Sequence, residues 1–358
     1  MNPPRHALIV GATGISGNAL AKRLVSEGWA VTGLSRRKPF VMDGAAAINV
    51  DLQSIEATQD ALAGKAFTHI FITAWVRCET EVENIRVNSA IVRNVLNAVR
   101  LTGSVRHVAL MTGLKHYMGP FEAYATGEVR DTPFHEDEER LPHPNFYYAQ
   151  EDELWAASAS DGFTWSVHRS HTVVGAAVGN AMNMAQTLAV QAAICREFDR
   201  PFIFPGSRTQ WNGLTDVTDA GLLAEHMQWA STTAEAANTS YNIVNGDVFR
   251  WRWMWPRIAE MLGVEPEGFV DVPRPLGSQM VGAADDWKVV SDRHGLAVSE
   301  VAELASWWHT DSDLGRDIEC ITDMRRSRLA GFKESRTSID SFEQVFDELR
   351  QKNLIPSI

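Results

Sequence analysis

The run Ala7-Leu8-Ile9-Val10-Gly11-Ala12-Thr13-Gly14-Ile15-Ser16-Gly17 decides the fold. Four apolar residues end at a glycine-rich turn, which opens a helical pattern through Ala19, Leu20, Leu24 and Val25. Strand, glycine turn and helix in that order aim free backbone N–H groups at a pyrophosphate. Glycine is what lets the backbone turn tightly and approach a ligand that a Cβ would hold off. An ordinary strand-to-helix turn is the alternative. The position of the glycines at the strand–helix junction favours a dinucleotide.

Outward from that turn the chain alternates strand and helix. Ala30 to Leu34 reads as a second strand, ending at Ser35-Arg36-Arg37-Lys38. Enzymes that take NAD place an acid near this point on the ribose 2′-hydroxyl. Here two arginines and a lysine stand instead, and guanidinium forks bind phosphate, so the pattern points to NADP(H). Ala46 to Val50 reads as a third strand, with Asp51-Leu52 bordering the adenine. Phe67 to Ala74 is a fourth, apolar enough to be buried on both faces, and Trp75 follows it. Glu81 to Leu101 is a long helix, Val105 to Met111 a fifth strand, Ala149 to Ala159 a helix and Phe163 to Arg169 a sixth strand. Successive parallel crossovers of this kind predict an α/β fold, a doubly wound Rossmann sheet.

After about residue 175 the alternation stops. Ala181 to Cys195 and Asp216 to Ala230 read as helices, and Tyr241 to Val244 as a short strand that rejoins the sheet edge. From Val248 the chain is mainly helical and rich in tryptophan; most of these rings read as core, and their concentration suits a smaller substrate domain sheltering an apolar ligand. With 358 residues, two domains are expected. Residues 1–175, rejoined by 212–246, form the nucleotide half, and 176–358 mainly the substrate half.

Composition narrows the partners. The formal net charge of −12 argues against nucleic acid or an anionic membrane. No apolar run reaches the ~18–20 residues of a membrane helix. Cys78, Cys195 and Cys320 are widely spaced and form no CxxC pair, as expected of a reducing cytoplasm. The first residues lead straight into a strand, so no cleaved signal is expected. His168 and His171 lack a supporting carboxylate or cysteine, so no metal is expected.

The chemistry turns on scarce residues. Rossmann reductases commonly pair a tyrosine with a lysine four residues later, but here Glu151 and Asp152 follow Tyr147 and Tyr148 at that spacing. No lysine occurs between Lys115 and Lys288. The pairing must be spatial: Lys115 leaves the fifth strand and Tyr147 opens the helix to the sixth, which brings them together above the nicotinamide.

Thr112-Gly113-Leu114-Lys115-His116-Tyr117-Met118-Gly119-Pro120-Phe121-Glu122 resembles the rearranged catalytic segment of the progesterone 5β-reductase/iridoid synthase-like enzymes, atypical extended short-chain dehydrogenases/reductases. Asn145-Phe146-Tyr147-Tyr148 with Glu151-Asp152, Trp165-Ser166-Val167-His168-Arg169 and Asn245-Gly246-Asp247-Val248-Phe249 extend the likeness. The resemblance implies NADPH-dependent 1,4-reduction of enones: steroid 4-en-3-ones such as progesterone, monoterpenoid enals or small vinyl ketones. It makes Lys115 and Tyr147 the catalytic pair. Where relatives carry a Pro-Gly-Asn type segment, this chain has Ser170-His171-Thr172, a different loop beside the nicotinamide.

The resulting assignment places the cofactor on Gly11, Thr13, Gly14, Ile15, Gly17, Ser35, Arg36, Arg37, Asp51, Leu52, Ala74, Thr112, Gly113 and Val174. Trp75, Phe121, Tyr148, Met182 and Met184 are the expected substrate wall, although Tyr148 and the two methionines also read as core. A homodimer is compatible with the sequence. The competing readings are an NAD-dependent nucleotide-sugar epimerase or dehydratase, and a non-enzymatic NADP-sensing regulator.

Overall fold

The computed structural model describes residues 5–36, 40–120, 130–179 and 182–358, so Arg37 and Phe121 lie outside the described residues. The strands begin with β1 (His6–Val10), β2 (Ala30–Ser35), β3 (Ala46–Asn49), β4 (His69–Ile72), β5 (His107–Gly113) and β6 (Thr164–Ser170). They continue with β7 (Val173–Val174), β8 (Phe202–Ile203), β9 (Thr218–Asp219), β10 (Thr239–Ile243) and β11 (Pro266–Glu267). The helices begin with α1 (Ile15–Ser26), α2 (Ile55–Leu62), α3 (Glu81–Arg100), α4 (Lys115–Met118) and α5 (Phe146–Asp161). Next are α6 (Met184–Glu197), α7 (Arg208–Asn212), α8 (Ala220–Thr232), α9 (Trp251–Leu262) and α10 (Leu276–Gln279). Last come α11 (Ala283–His294), α12 (Trp307–Leu314), α13 (Arg325–Leu329) and α14 (Ser338–Gln351). Among the described residues no helix is long and apolar enough to cross a membrane.

Seven strands form one sheet in the order β10-β6-β5-β4-β1-β2-β3, every neighbouring pair parallel. The order reverses between β1 and β4, and it is outside the carboxyl ends of strands at such a point that ligands bind in open α/β sheets. Leu8, Ile9, Val10, Ile70, Phe71, Ile72, Val108 and Leu110 are fully buried because helices cover both faces. β4 is shorter than its apolar run suggested, and β5 runs on through Thr112 and Gly113.

The chain forms two compact units. The first comprises residues 1–171, 221–243 and 323–334; the second comprises 172–220, 244–322 and 335–358. The sequence reading set the boundary at 175 and the return at 212–246, with no signal for the third segment. That segment is held in the first unit by polar contacts rather than by pattern. The Glu136 carboxylate accepts from the Arg326 backbone N–H, and Asn242 Nδ2 donates to the Asp323 carbonyl at 3.0 Å.

A buried polar chain also crosses the first unit. His107 Nδ1 meets Thr164 Oγ1 at 2.9 Å and its Nε2 meets Ser166 Oγ at 2.9 Å. Ser166 Oγ meets His168 Nε2 at 2.8 Å, and His168 Nδ1 meets His226 Nδ1 at 2.8 Å. His226 Nε2 ends the chain on Ser327 Oγ at 2.9 Å. Thr164 donates to the Arg106 carbonyl at 3.1 Å, so it accepts from His107, and the direction of every later bond follows. β5, β6, α8 and α13 are thus tied by neutral imidazoles, each donating once and accepting once.

The second unit buries Trp251, Trp255 and Trp287 in its own core. Trp255 stacks on Phe202 with centroids 4.1 Å apart and donates its indole N–H to the Phe202 carbonyl at 3.1 Å. Trp287 donates to the Val298 carbonyl at 3.1 Å. These three tryptophans therefore build core, and the indole N–H groups of Trp255 and Trp287 each find an acceptor.

Candidate active site

The glycine turn is shaped for close approach. Gly11 has φ of +89°, and a Cβ on it would stand 2.8 Å from the Ala74 Cβ. A Cβ on Gly17 would stand 2.2 Å from the Gly11 carbonyl oxygen, so α1 can begin against the turn only with glycine there. Gly11 and Ala12 donate to the Leu34 carbonyl at 3.0 and 3.1 Å, and Gly14 donates to the Gly11 carbonyl at 3.0 Å. The first-turn N–H groups of Ile15, Ser16 and Gly17 have no acceptor inside the helix. Their aligned dipoles place partial positive charge at this end. A pyrophosphate fits this cradle.

At the end of β2, Thr13 Oγ1 and Ser35 Oγ share a hydrogen bond of 2.9 Å. Arg36 follows, exposed and with no carboxylate partner among the described residues. Leu52 is buried, and its carbonyl accepts from Asn94 Nδ2 at 2.9 Å. Asp51 is exposed and accepts from the Gln53 backbone N–H at 3.1 Å.

Past β4, Ala74 and Trp75 lie on a segment clamped from α3. Asn88 accepts from the Val76 N–H at 2.7 Å and donates to its carbonyl at 2.9 Å, while Asn84 accepts from the Cys78 N–H at 2.8 Å. Asparagine is a poor residue inside a helix, and here its amides hold loop backbone instead.

The Lys115 and Tyr147 segments meet at the carboxyl end of β5. Asn145 does the joining: its amide nitrogen donates to the Lys115 carbonyl at 2.7 Å and its oxygen accepts from the Tyr147 N–H at 3.0 Å. That cap starts α5 at Phe146, three residues before the expected start, and puts Tyr147 in the first helical turn. Glu81 accepts from the Phe146 N–H at 2.7 Å and from Asn84 at 3.1 Å, anchoring the same turn to α3. A Cβ on Gly113 would stand 3.3 Å from the Tyr147 hydroxyl and 3.0 Å from the Ser170 carbonyl oxygen. The Lys115 ammonium sits 5.5 Å from the Phe146 ring centre. Phe146 in turn packs 4.3 Å from the Tyr147 ring and 5.2 Å from the Trp75 ring. Lys115, Tyr147 and Trp75 are therefore grouped around one aromatic side chain, with Gly113 beside the Tyr147 hydroxyl.

The Tyr147 hydroxyl has no hydrogen-bond partner among the described residues. Burial, and then the negative charge of Glu81, push its pKa above the usual phenol value, so it stays protonated at neutral pH. Gly113→Ala is expected to shift this phenol and lower kcat about tenfold, with folding retained, since small misplacements at a reacting centre are costly. Steady-state kinetics beside a melting curve checks this; unchanged kcat would show that the clearance is incidental.

Other expected residues take structural places. The Tyr148 hydroxyl donates to the His116 carbonyl at 2.7 Å and accepts from the Leu141 N–H at 3.0 Å, so it pins backbone rather than facing a substrate. His116 donates to the Glu138 carbonyl at 3.0 Å. Burial and then Arg169 lower its pKa to about 3, so it is a neutral loop histidine. Val174 and Met184 are buried in the core of the second unit, and Met182 is half-buried there. Met184 is thereby a core side chain. Glu151, at the position where a lysine was sought, is fully buried and accepts from Arg140 at 2.8 Å, with Arg169 at 3.9 Å. Sequence reasoning missed Glu81, the asparagine clamps and the Gly113 clearance; only Asn145, an Asn just before a helix, carried a readable signal.

A family model described as a PRISE-like Rossmann-fold domain matches residues 47–356. (S)-8-oxocitronellyl enol synthase CYC2 of Camptotheca acuminata is 36% identical over 364 residues, covering 98% of this chain and 93% of the relative. 3-oxo-Delta(4,5)-steroid 5-beta-reductase of Arabidopsis thaliana is also 36% identical over 364 residues, with the same 98% and 93% coverage. Among solved structures, a UDP-glucose 4-epimerase superposes with TM-score 0.72 at 14% identity, covering 99% of this chain and 100% of that one. The NAD complex of Thermus thermophilus UDP-glucose 4-epimerase superposes with TM-score 0.67 at 18% identity, covering 96% and 99%. Likeness at such low identity speaks to the fold alone.

Proposed function

The chain belongs to the PRISE-like Rossmann-fold family and is an oxidoreductase of the extended short-chain type, and on that premise we propose that it reduces the activated C=C bond of enones with NADPH. The substrates proposed are small and apolar: steroid 4-en-3-ones, monoterpenoid enals or vinyl ketones. The observation that carries the reading is a protonated phenol without a partner among the described residues, beside Gly113 at the strand end that also delivers Lys115.

The glycine turn from Gly11 to Gly17 would hold the pyrophosphate of a nicotinamide dinucleotide, which in its reduced form would supply the hydride that the substrate β-carbon accepts. Electron density then moves to the carbonyl oxygen, which becomes an enolate oxygen. Tyr147 donates a hydrogen bond to that oxygen, and Lys115 contributes positive charge near it. A donor aimed at charge that develops only in the transition state is worth about 3–4 kcal/mol. The phenol's raised pKa suits donation rather than proton transfer. The enolate takes its proton at the α-carbon from solvent, completing the saturated carbonyl product. Trp75, half-buried and stacked on the fully buried Phe146, offers apolar surface near the phenol.

The nucleotide-sugar reading needs a lysine where the buried Glu151 stands, and no observation favours it. For cofactor choice, the absence of an acid at the end of β2 and the exposed Arg36 support NADPH over NADH. Arg36→Gln is expected to lower the NADPH:NADH ratio of kcat/KM by roughly 10–100-fold, the worth of one charge-assisted phosphate contact. An unchanged ratio would remove Arg36 from the cofactor site. The activity itself is tested by NADPH consumption against a panel of enones, saturated ketones and nucleotide sugars. Consumption confined to the enones is the expected result, and consumption with nucleotide sugars alone would overturn it.

A further inference from the structure

A cavity of about 430 Å³ lies at the edge of the sheet opposite the glycine turn, lined by Arg5, His69, Arg106, His107, Thr164 and the end of α8. Arg5 and Arg106 immediately precede β1 and β5, and His69, His107 and Thr164 open β4, β5 and β6. The strands are parallel, so all five stand at amino ends, away from the carboxyl ends that carry Gly11, Trp75 and Lys115. The volume falls in the range of ~300–1,000 Å³ typical of small-molecule sites.

Arg5 and Arg106 are exposed, and among the described residues no carboxylate lines the cavity beside them. Neither the Arg5 nor the Arg106 guanidinium has a hydrogen bond or ion pair among the described residues. The same chain, with net charge −12, pairs Arg93 with Glu153, Arg100 with Asp161 and Arg140 with Glu151. Arg5 is held in place by Trp29, its guanidinium carbon 5.1 Å from the ring centre, and Trp29 sits edge-on to His69 at 4.8 Å. A cation–π contact of that kind uses none of the guanidinium's N–H donors. The carbonyls at the end of α8 do not use the arginines either. Ser231 and Thr232 donate their hydroxyls to the Gln228 carbonyl at 2.8 and 3.0 Å. Both histidines stay neutral: burial and then the two arginines lower His69 to about 4, and burial, then His69, lowers His107 to about 3.

We propose that this cavity is a second small-molecule site, which takes a phosphate group on the Arg5 and Arg106 guanidiniums, either as free phosphate or as a phosphate monoester whose remainder fills the rest of the volume. Arginine binds a tetrahedral oxyanion through charge-assisted, often bidentate bonds, and two arginines line this one cavity. The site shares no residue with the proposed catalytic machinery and does not rest on the enone reading.

The test is ¹⁵N-histidine NMR of the full chain, titrated at constant ionic strength with inorganic phosphate, ribose 5-phosphate, ribose or chloride. The His69 and His107 resonances should shift saturably with both phosphates, and with neither ribose nor chloride. Ribose 5-phosphate binding the tighter identifies a monoester, and inorganic phosphate binding as tightly identifies the free ion. In Arg5→Gln/Arg106→Gln the affinity should fall roughly tenfold or more. In Arg36→Gln, which removes the proposed cofactor-phosphate contact, it should be unchanged. Absence of saturation, an equal response to chloride, or unaltered affinity in a folded double variant would each overturn the proposal. Loss of the response in Arg36→Gln would instead assign the phosphate to the nucleotide site and overturn it equally.

Discussion

Replacing Tyr147 by phenylalanine is expected to lower kcat for a 4-en-3-one steroid or a simple vinyl ketone by about 10²–10³, the effect of removing one oxyanion donor. NADPH affinity and melting temperature should change little. The hydroxyl has no hydrogen bond among the described residues, so its removal strands no buried group. The adjacent tyrosine supplies the contrast. Tyr148→Phe removes a hydroxyl that bridges the His116 carbonyl and the Leu141 N–H, leaving both without that partner. It should therefore destabilise the fold by about 1–3 kcal/mol while leaving kcat near the parent value. Two isosteric changes one residue apart thus separate chemistry from scaffolding. Steady-state kinetics and urea titrations on both variants decide the matter. If Tyr148→Phe lost turnover and Tyr147→Phe kept it, the assignment of the donor would be reversed.

Local pattern made the nucleotide half legible and left the polar interior hidden. The glycine turn was readable because tight turn, close approach and helix start all act within seven residues of sequence, Gly11 to Gly17. Strand limits slipped where pairing partners set them. α8 was expected from Asp216, but Thr218 and Asp219 pair with Val173 and Val174 first, a contact between distant segments, and the helix begins at Ala220. Tryptophan density pointed to core for most of these rings, and the indole N–H bonds to Phe202 and Val298 place two of them there; density alone could not say which, because burial and binding favour the same residue. Glu81 was invisible for another reason. It is the first residue of a long helix, where an acid is ordinary, and only the folded chain brings the first turn of α5 against it. His107, His168 and His226 stand 61 and 58 residues apart, and no spacing rule links them.

Those histidines lead to the second large effect: mild acid should unfold this protein. His69, His107, His116, His168 and His226 are all buried. Burial is the leading cause of the lowered pKa in each: to about 4 for His69, to about 3 for His107, His116 and His226, and well below 6.5 for His168. The unfolded chain takes up protons below about pH 6.5, while the native chain holds these rings neutral until far lower. The stabilisation is present above pH 6.5 and is lost as pH falls toward 4. Each group contributes about 1.3 kcal/mol of lost stability between pH 7.5 and 5.5, or about 6–7 kcal/mol for the five. Glu136 works the other way: burial raises its pKa to about 7, so the native state takes its proton first. That offsets about 2 kcal/mol, and burial raises Glu151 and Asp311 in the same opposing direction. A net loss of at most about 4–5 kcal/mol is comparable with the whole stability of many domains. Urea midpoints at pH 7.5 and 5.5 measure it, and the midpoint should fall sharply at the lower pH. His168→Gln keeps an amide that can donate and accept in the same chain, yet has nothing to titrate. It should flatten the pH dependence by about 1.3 kcal/mol. An equal or higher midpoint at pH 5.5 in the parent would mean that these imidazoles gain protons without opening the core.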